Sequence, residues 1–317
     1  MSESQAASHK AISQTGTGSA TNPALGHRIV SGSEWRKART ALLAKEKAFT
    51  KLGDQLSAEQ RALPWVRVEK EYVFDGPAGE VTLAQLFNGR SQLFLKHFMM
   101  GPGQKNNCVG CAFEVDHLEG LLVHLENHDL SYVAVARAPI KEIEAYRKSM
   151  GWKFPWFSSF HSDFNYDFNV SFTPEQIASG NAYYNFGQVK PGMEDLSGDS
   201  VFFKDDAGQI FHTYSTFGRG GEQFLGAYSF LDVTPKGRNE NGPYHSLGDW
   251  VLPRNMYGKG GTVEGNVDFT HRDAVVRCTG KPLRAGFRGN SRPAAHVRHW
   301  AARVETAMQA TSCQPQV

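Results

Sequence analysis

The stretch that most constrains this chain runs from Gln92 to Ala136, where a strand, a loop, a Cys-x-x-Cys, a helix and a second strand follow one another. Gln92–Met99 (QLFLKHFM) is a short apolar run, and Gly101-Pro102-Gly103 and Asn106-Asn107 after it are turn formers. Cys108-Val109-Gly110-Cys111 then opens a helical pattern, with Phe113, Val115, Leu118, Leu121, Leu122 and Leu125 at close to helical spacing. Leu130–Ala136 (LSYVAVA) has the composition of a buried strand. Strand, helix and strand in that order predict a βαβ unit with a right-handed crossover. A C-x-x-C at the helix start of such a unit is the thioredoxin-like redox pattern.

The spacing has a physical reason. Residues three apart on a helix share a face, so the two sulfurs can come within disulfide geometry. The unpaired N–H groups and partial positive charge of a helix N-terminus favour a thiolate. Cys108 is nearer those groups, which assigns it as the attacking thiolate and Cys111 as the resolving thiol. The competing reading is structural: half a zinc site, or two buried thiols. The other cysteines, Cys278 and Cys313, lie far along the chain. A zinc site would need four ligands gathered from distant segments, so neither metal nor cofactor is expected. Glu114 and Asp116 could take the Cys111 proton as general base; the plainer reading makes them acids of the first turns, favoured by the dipole. Lys105 could lower the thiolate pKa by its charge, or be a solvated loop lysine. His117 and His124 are seven apart, without the i, i+4 spacing of a metal pair, and with His97 read as packing or surface residues.

Along the rest of the chain, residues 1–28 are rich in Ser, Thr, Gly, Ala and Gln and are expected to be disordered. They lack the basic start and apolar core of a secretory signal, which points to a cytoplasmic protein. No apolar run is long enough to span a membrane. Ser31 and Glu34 have capping-box spacing and predict a helix to about Leu52, ended by Gly53. Trp35, Ala38, Leu42, Phe49 and Leu52 form its apolar stripe, and Ser57–Leu63 adds a short turn. The charged face of that helix is read as solvated, not as a nucleic-acid surface. Val66–Phe74 (VRVEKEYVF) alternates as a half-buried strand. Pro139 starts and Gly151 closes a helix carrying Ile140, Ile143 and Tyr146. Ser162–Phe168 (SDFNYDF) is either a substrate loop beside the thiols or a packed loop whose aspartates cap nearby backbone. Thr173-Pro174 begins a short helix stopped by Gly180. Ser200–Lys204 and Gln209–Ser215 form a hairpin over Asp205–Gly208, and Glu222–Leu231 a further helix.

Together with the C-x-x-C, several segments resemble the DUF899 family of thioredoxin-like proteins. They are Trp65–Phe74, Arg137-Ala138-Pro139, Met150-Gly151-Trp152 with Phe154-Pro155-Trp156, Ser162–Phe168, Phe211–Ser215 and Leu231–Arg238. The resemblance covers about Ile29 to Arg238 and implies a thioredoxin-like fold with a predicted dithiol–disulfide oxidoreductase activity. Two departures stand out. A thioredoxin-like site usually has a cis-proline before the strand that follows the crossover helix, but Leu196-Ser197-Gly198-Asp199 holds none. The loop Met100–Asn107 is long, as in peroxiredoxins, yet Lys105 stands where their threonine would be.

The sequence therefore predicts an α/β protein with a thioredoxin-like, peroxiredoxin-variant sheet flanked by helices. Its parts are a disordered segment 1–28, a domain 29–238 opening on a helical extension, and an irregular Arg-rich tail 239–317. From Gly258 that tail reads as an accessory segment or the product of a shifted reading frame, with one helical stretch at Ala294–Ala310. The expected activity is thiol–disulfide exchange by Cys108 and Cys111, on a disulfide or peroxide substrate with an unidentified reductant. A thiol peroxidase and a non-catalytic binding protein on the same scaffold are the alternatives, since fold does not fix function. Neither a nucleic-acid nor a membrane partner is expected.

Overall fold

The computed structural model describes residues 20–22, 26–105, 107–243 and 245–257. The expected helical stretch Ala294–Ala310 and Cys278 and Cys313 lie outside these residues. Within the segment expected to be disordered, β1 (Ala20–Asn22) pairs antiparallel with β2 (His27–Ile29).

Helix α1 (Gly32–Arg61) begins at the expected capping box, with Ser31 accepting from the Glu34 N–H at 3.2 Å and Glu34 accepting from the Ser31 N–H at 3.0 Å. It does not stop at Gly53. Leu56, Ala58, Glu59 and Gln60 are good helix formers, and their combined preference outweighs the roughly 1 kcal/mol cost of one interior glycine. None of its residues is buried, so the apolar stripe of Trp35, Leu42 and Phe49 lies exposed.

The expected strand Val66–Phe74 divides into β3 (Val66–Arg67) and β4 (Val73–Gly76). The chain continues through β5 (Gly79–Thr82), α2 (Leu83–Leu86), β6 (Gln92–His97), α3 (Val109–Val115), α4 (Leu122–Asn127), β7 (Leu130–Ala136), α5 (Ile140–Met150) and β8 (Trp156–Ser158). Then come α6 (Phe164–Asp167), α7 (Pro174–Ser179), the hairpin β9 (Ala182–Tyr184) and β10 (Gly187–Val189), β11 (Gly198–Lys204), β12 (Ile210–Phe217) and α8 (Gly226–Leu231). Among the described residues the main sheet has the order β3-β12-β11-β6-β7-β8-β4-β5.

β3 and β4 therefore lie six strand spacings apart, about 29 Å across a flat sheet. The six-residue step from Arg67 to Val73 reaches at most about 22 Å, so the sheet must curl. This is why one alternating sequence run cannot be one strand: its two ends hydrogen-bond to opposite sides of the sheet. The middle strands of the sheet form the thioredoxin-like unit. β6 and β7 run parallel, in register from Gln92–Leu130 to His97–Val135, and β11 and β12 add antiparallel on the other side of β6. The protein is an α/β, thioredoxin-like fold.

The single expected helix after the cysteines is two short ones. Its break, Asp116–Leu121, is held by contacts outside the helix: Asp116 accepts the Trp152 indole N–H at 2.7 Å and Glu119 accepts the Lys153 N–H at 2.5 Å. Gly151 and Gly180 close α5 and α7 in the left-handed conformation, as expected.

Period-two alternation on β6 divides the core. Leu93 and Leu95 pack with Phe74, Val133, Val135, Phe164 and Phe202 on one face. Phe98 packs on the other with the cysteines and an aromatic group that includes Trp152, Phe154 and Trp156. His97 is fully buried on the Leu93 face, stacked on Phe164 with its Nε2 2.8 Å from Ser200 Oγ. From there a polar chain runs through Ser215 Oγ to His212 Nε2, in steps of 2.8 and 2.7 Å.

Burial, reinforced by the Lys96 charge, pulls the His97 pKa down to about 3, so the ring is neutral at pH 7. In the unfolded chain it would titrate near 6.5, so only the unfolded state gains a proton as pH falls from there towards 3. The stability it contributes is complete above the unfolded value and is lost on acidification. Measured by urea unfolding as the stability of the parent minus that of His97→Gln, this contribution should fall by about 2 kcal/mol between about pH 7.5 and about pH 5. A difference that stays constant over that window would show that His97 is not held neutral.

Candidate active site

The dithiol lies where β6 hands the chain to α3. Past the end of β7, Arg137 grips Asp195 with two hydrogen bonds of 2.9 and 2.8 Å, and Ser171 Oγ donates to the same carboxylate at 2.6 Å. A Cβ on Gly101 would lie 2.5 Å from Asp195 Oδ2. Glycine is thus what lets the loop leave the strand so close to this ion pair. The Gly103 N–H then donates to Glu142 at 2.9 Å, pinning the loop to α5.

Cys108 is the N-cap residue of α3, and its Sγ accepts the Cys111 N–H at 3.2 Å. Both residues are thiols and both are buried, Cys108 at 7% and Cys111 at 2% exposure. Burial pushes the Cys111 thiol well above its ordinary pKa, with the hydrogen bond and charge of Cys108 adding to the rise. Cys111 is therefore held as the protonated partner.

Behind the thiols is a cluster of three charged side chains. Lys96 on β6 reaches Glu114 Oε2 at 2.6 Å and Asp199 Oδ1 at 3.2 Å, and all three residues are buried. One ammonium cannot neutralise two carboxylates in a dry interior. Burial, aided by repulsion from Asp199, lifts the Glu114 carboxyl well above its usual range despite the nearby Lys96. Burial alone would pull Lys96 down, but the charges of Asp199 and Glu114 outweigh it and the lysine stays an ammonium. These groups and both cysteines line a cleft of about 180 Å³.

The cleft has a cover. Gly218–Phe224 forms a 3-10 turn leading into α8, and Leu247–Asp249 forms another. Leu225, Tyr228 and Val251 pack on Val109 and Phe113 of the cysteine helix, with Leu247 and Trp250 against them. Leu247, Trp250 and Val251 of the expected tail thus pack on α3, and Arg254 after them binds the Met150 carbonyl at the end of α5. At the rim Arg238 lies 3.8 Å over the Tyr228 ring and bridges Asp232 and Glu222, while the Tyr228 hydroxyl donates to Glu240 at 2.6 Å.

Of the other residues singled out by sequence, Glu114 joins this cluster. Asp116 instead holds Trp152 and lies 3.5 Å from Arg254 Nε. Lys105 is exposed in its loop. The Ser162–Phe168 segment is not beside the thiols: Phe164 belongs to the opposite core face, and Asp163 and Asp167 bind Lys70 at 2.9 and 2.8 Å. Among the described residues no group of three His, Cys, Asp or Glu side chains is placed to hold a metal ion, and every peptide bond is trans. Sequence reasoning missed Lys96 and Asp199. The available signal was a lysine inside an apolar strand run, at a position that alternation places beside Phe94 and Phe98.

Lys96→Met should leave a buried carboxylate without its cation and cost about 3–5 kcal/mol in denaturant unfolding. Adding Glu114→Gln and Asp199→Asn to that variant should recover most of the loss.

The family model for bacterial proteins of unknown function DUF899 matches residues 25–257. A search of curated proteins gives no match. Solved structures similar to this chain include peroxidoxin BcpB of Mycobacterium tuberculosis, 12% identical over 52% of this chain and 94% of that one, with a TM-score of 0.34. Peroxiredoxin Q of Xanthomonas campestris is 15% identical over 53% and 96%, with a TM-score of 0.35. A putative thiol:disulfide interchange protein DsbE of Chlorobium tepidum is 13% identical over 52% and 97%, with a TM-score of 0.32. The main sheet, the dithiol helix and its cover all fall inside the matched residues: the chain belongs to the DUF899 family.

Proposed function

We propose that the protein is a thiol oxidoreductase that cycles Cys108 and Cys111 between dithiol and disulfide. The observation that carries this reading is the pairing itself. Cys108 caps α3 with the Cys111 N–H on its sulfur, at the floor of a cleft. An N–H donated to sulfur stabilises the thiolate over the thiol. The raised pKa of Cys111 supports the same division of roles, since a protonated thiol cannot attack first.

In the proposed cycle the Cys108 thiolate attacks one atom of the substrate's S–S or O–O bond, and the other atom leaves with the electron pair. Cys111 then attacks the Cys108 sulfur, loses its proton and displaces what Cys108 has taken up. The disulfide that remains is returned to the dithiol by an external thiol reductant. The helix turn between the two residues keeps resolution intramolecular and fast.

With dithiothreitol as reductant, Cys108→Ser should reduce turnover of hydroperoxide or disulfide substrates to the uncatalysed background. Cys111→Ser should stop after one equivalent, with the mixed disulfide or the Cys108 sulfenic acid visible by intact mass. Turnover unchanged in Cys108→Ser would refute the proposal.

A further inference from the structure

Cys108 is hidden for a nucleophile that must meet another protein. Its cleft of about 180 Å³ is close to the size of an engineered cavity of about 150 Å³ that holds one benzene. The cover comes close to the dithiol: a Cβ on Gly110, between the two cysteines, would lie 3.6 Å from Leu247 Cδ2 and 3.9 Å from Cys108 Sγ, and Cys108 is 7% exposed. Tyr228 and Leu225 are each at most 5% exposed, and the Arg238 and Glu240 contacts hold that side of the rim in place. A disulfide in a folded protein cannot bring its two chain segments onto a sulfur so nearly covered.

The wall of the cleft adds a chemical criterion. Glu114 and its partner Lys96 line it beside the cysteines, and Glu114 follows Cys111 by three residues on the same helix face. A thiolate leaving group departs near neutral pH without help, whereas an alkoxide is a far stronger base and needs a proton as the bond breaks. A buried carboxylic acid paired with an ammonium is of use to an alkoxide and of little use to a thiolate.

We propose that the substrate of this dithiol is a small organic hydroperoxide, admitted where protein disulfides are excluded, with Glu114 protonating the departing alkoxide. The proposal rests on the Cys108–Cys111 cycle proposed above and names its oxidant. The Cys108 thiolate attacks the terminal peroxide oxygen; the S–O bond forms, the O–O bond breaks, and the alkoxide takes the Glu114 proton and leaves as an alcohol. Cys108 becomes a sulfenic acid and Glu114 a carboxylate. Cys111 then attacks the Cys108 sulfur, its proton leaves with the hydroxide as water, and the disulfide forms. The proton that Cys108 gave up on ionising restores Glu114. Two buried carboxylates share one ammonium, and burial raises the Glu114 carboxyl well above its usual range, which suits Glu114 to give a proton to a strong base.

The test compares tert-butyl hydroperoxide with insulin as oxidant for the full-length protein under dithiothreitol, and Glu114→Gln with the parent. Hydroperoxide should be consumed well above the dithiothreitol background, and insulin reduced no faster than by dithiothreitol alone. Glu114→Gln should slow hydroperoxide turnover about 100-fold, yet leave iodoacetamide alkylation of Cys108 unchanged, because iodide leaves without a proton. In the parent, iodoacetamide should label Cys108 while a polyethylene-glycol maleimide does not, until Leu247→Ala opens the cover. Insulin reduced as fast as hydroperoxide, labelling independent of reagent size, or Glu114→Gln slowing both reactions alike would overturn the proposal. The dithiol cycle would stand in each case, and it falls only if Cys108→Ser retains turnover.

Discussion

Lys96 carries an ammonium group into the interior on a strand that is otherwise built for the core, and the arrangement around the dithiol depends on how that charge is met. A lone buried cation is intolerable, so the neighbouring strand supplies Asp199 and the cysteine helix supplies Glu114. Three elements, β6, β11 and α3, are thereby tied at one point. The two carboxylates exceed what one lysine can neutralise, and burial raises the Glu114 carboxyl well above its usual range. The same contacts that fix α3 against the sheet thus also perturb a carboxyl beside two thiols. Fixing the helix and setting its acidity are one electrostatic arrangement.

Much of the central unit was legible because its signals are local. The strands at Gln92 and Leu130, the cap at Ser31, the glycine stops at Gly151 and Gly180 and the Asp205–Gly208 hairpin each depend on a few adjacent residues, and the structure has all of them. What was not legible depends on long-range closure. The run at Val66–Phe74 alternates perfectly well for one strand, and nothing in it states that its ends must meet opposite sides of a curled sheet. The helix after Cys111 keeps its apolar spacing through Leu125, yet Trp152 and Lys153, from beyond the next strand and helix, capture Asp116 and Glu119 and break it.

The site was half legible for the same reason. Cys108 and Cys111 announce themselves by spacing, and Glu114 is on the same helix. Asp199 is about ninety residues away, and only the pairing of β11 with β6 sets it opposite Lys96. The cover over the cleft was the least legible part. Leu247, Trp250 and Val251 lie in a stretch without clear periodicity, and they gain meaning only once Val109 and Phe113 are seen to need burial. The expected tail boundary at Arg238 separated these residues from the helix they cover.

Lys96 and His97 are consecutive, and alternation sends one to the thiols and the other into a layer of phenylalanines. Each suits only its own side: the ammonium has carboxylates waiting, and the imidazole has Ser200 and the Phe164 ring. A slip of β6 by one residue would exchange them, putting a cation among aromatic rings and an imidazole between two acids, besides turning Leu93 and Leu95 outward. Leucines alone would leave the two registers separated by packing; this pair of neighbours adds to the wrong one the cost of a buried ammonium parted from its carboxylates. The alignment of the sheet's central strand is thus written as a two-residue code, and the chain can use it to discard misaligned pairings before the thiols ever meet a substrate.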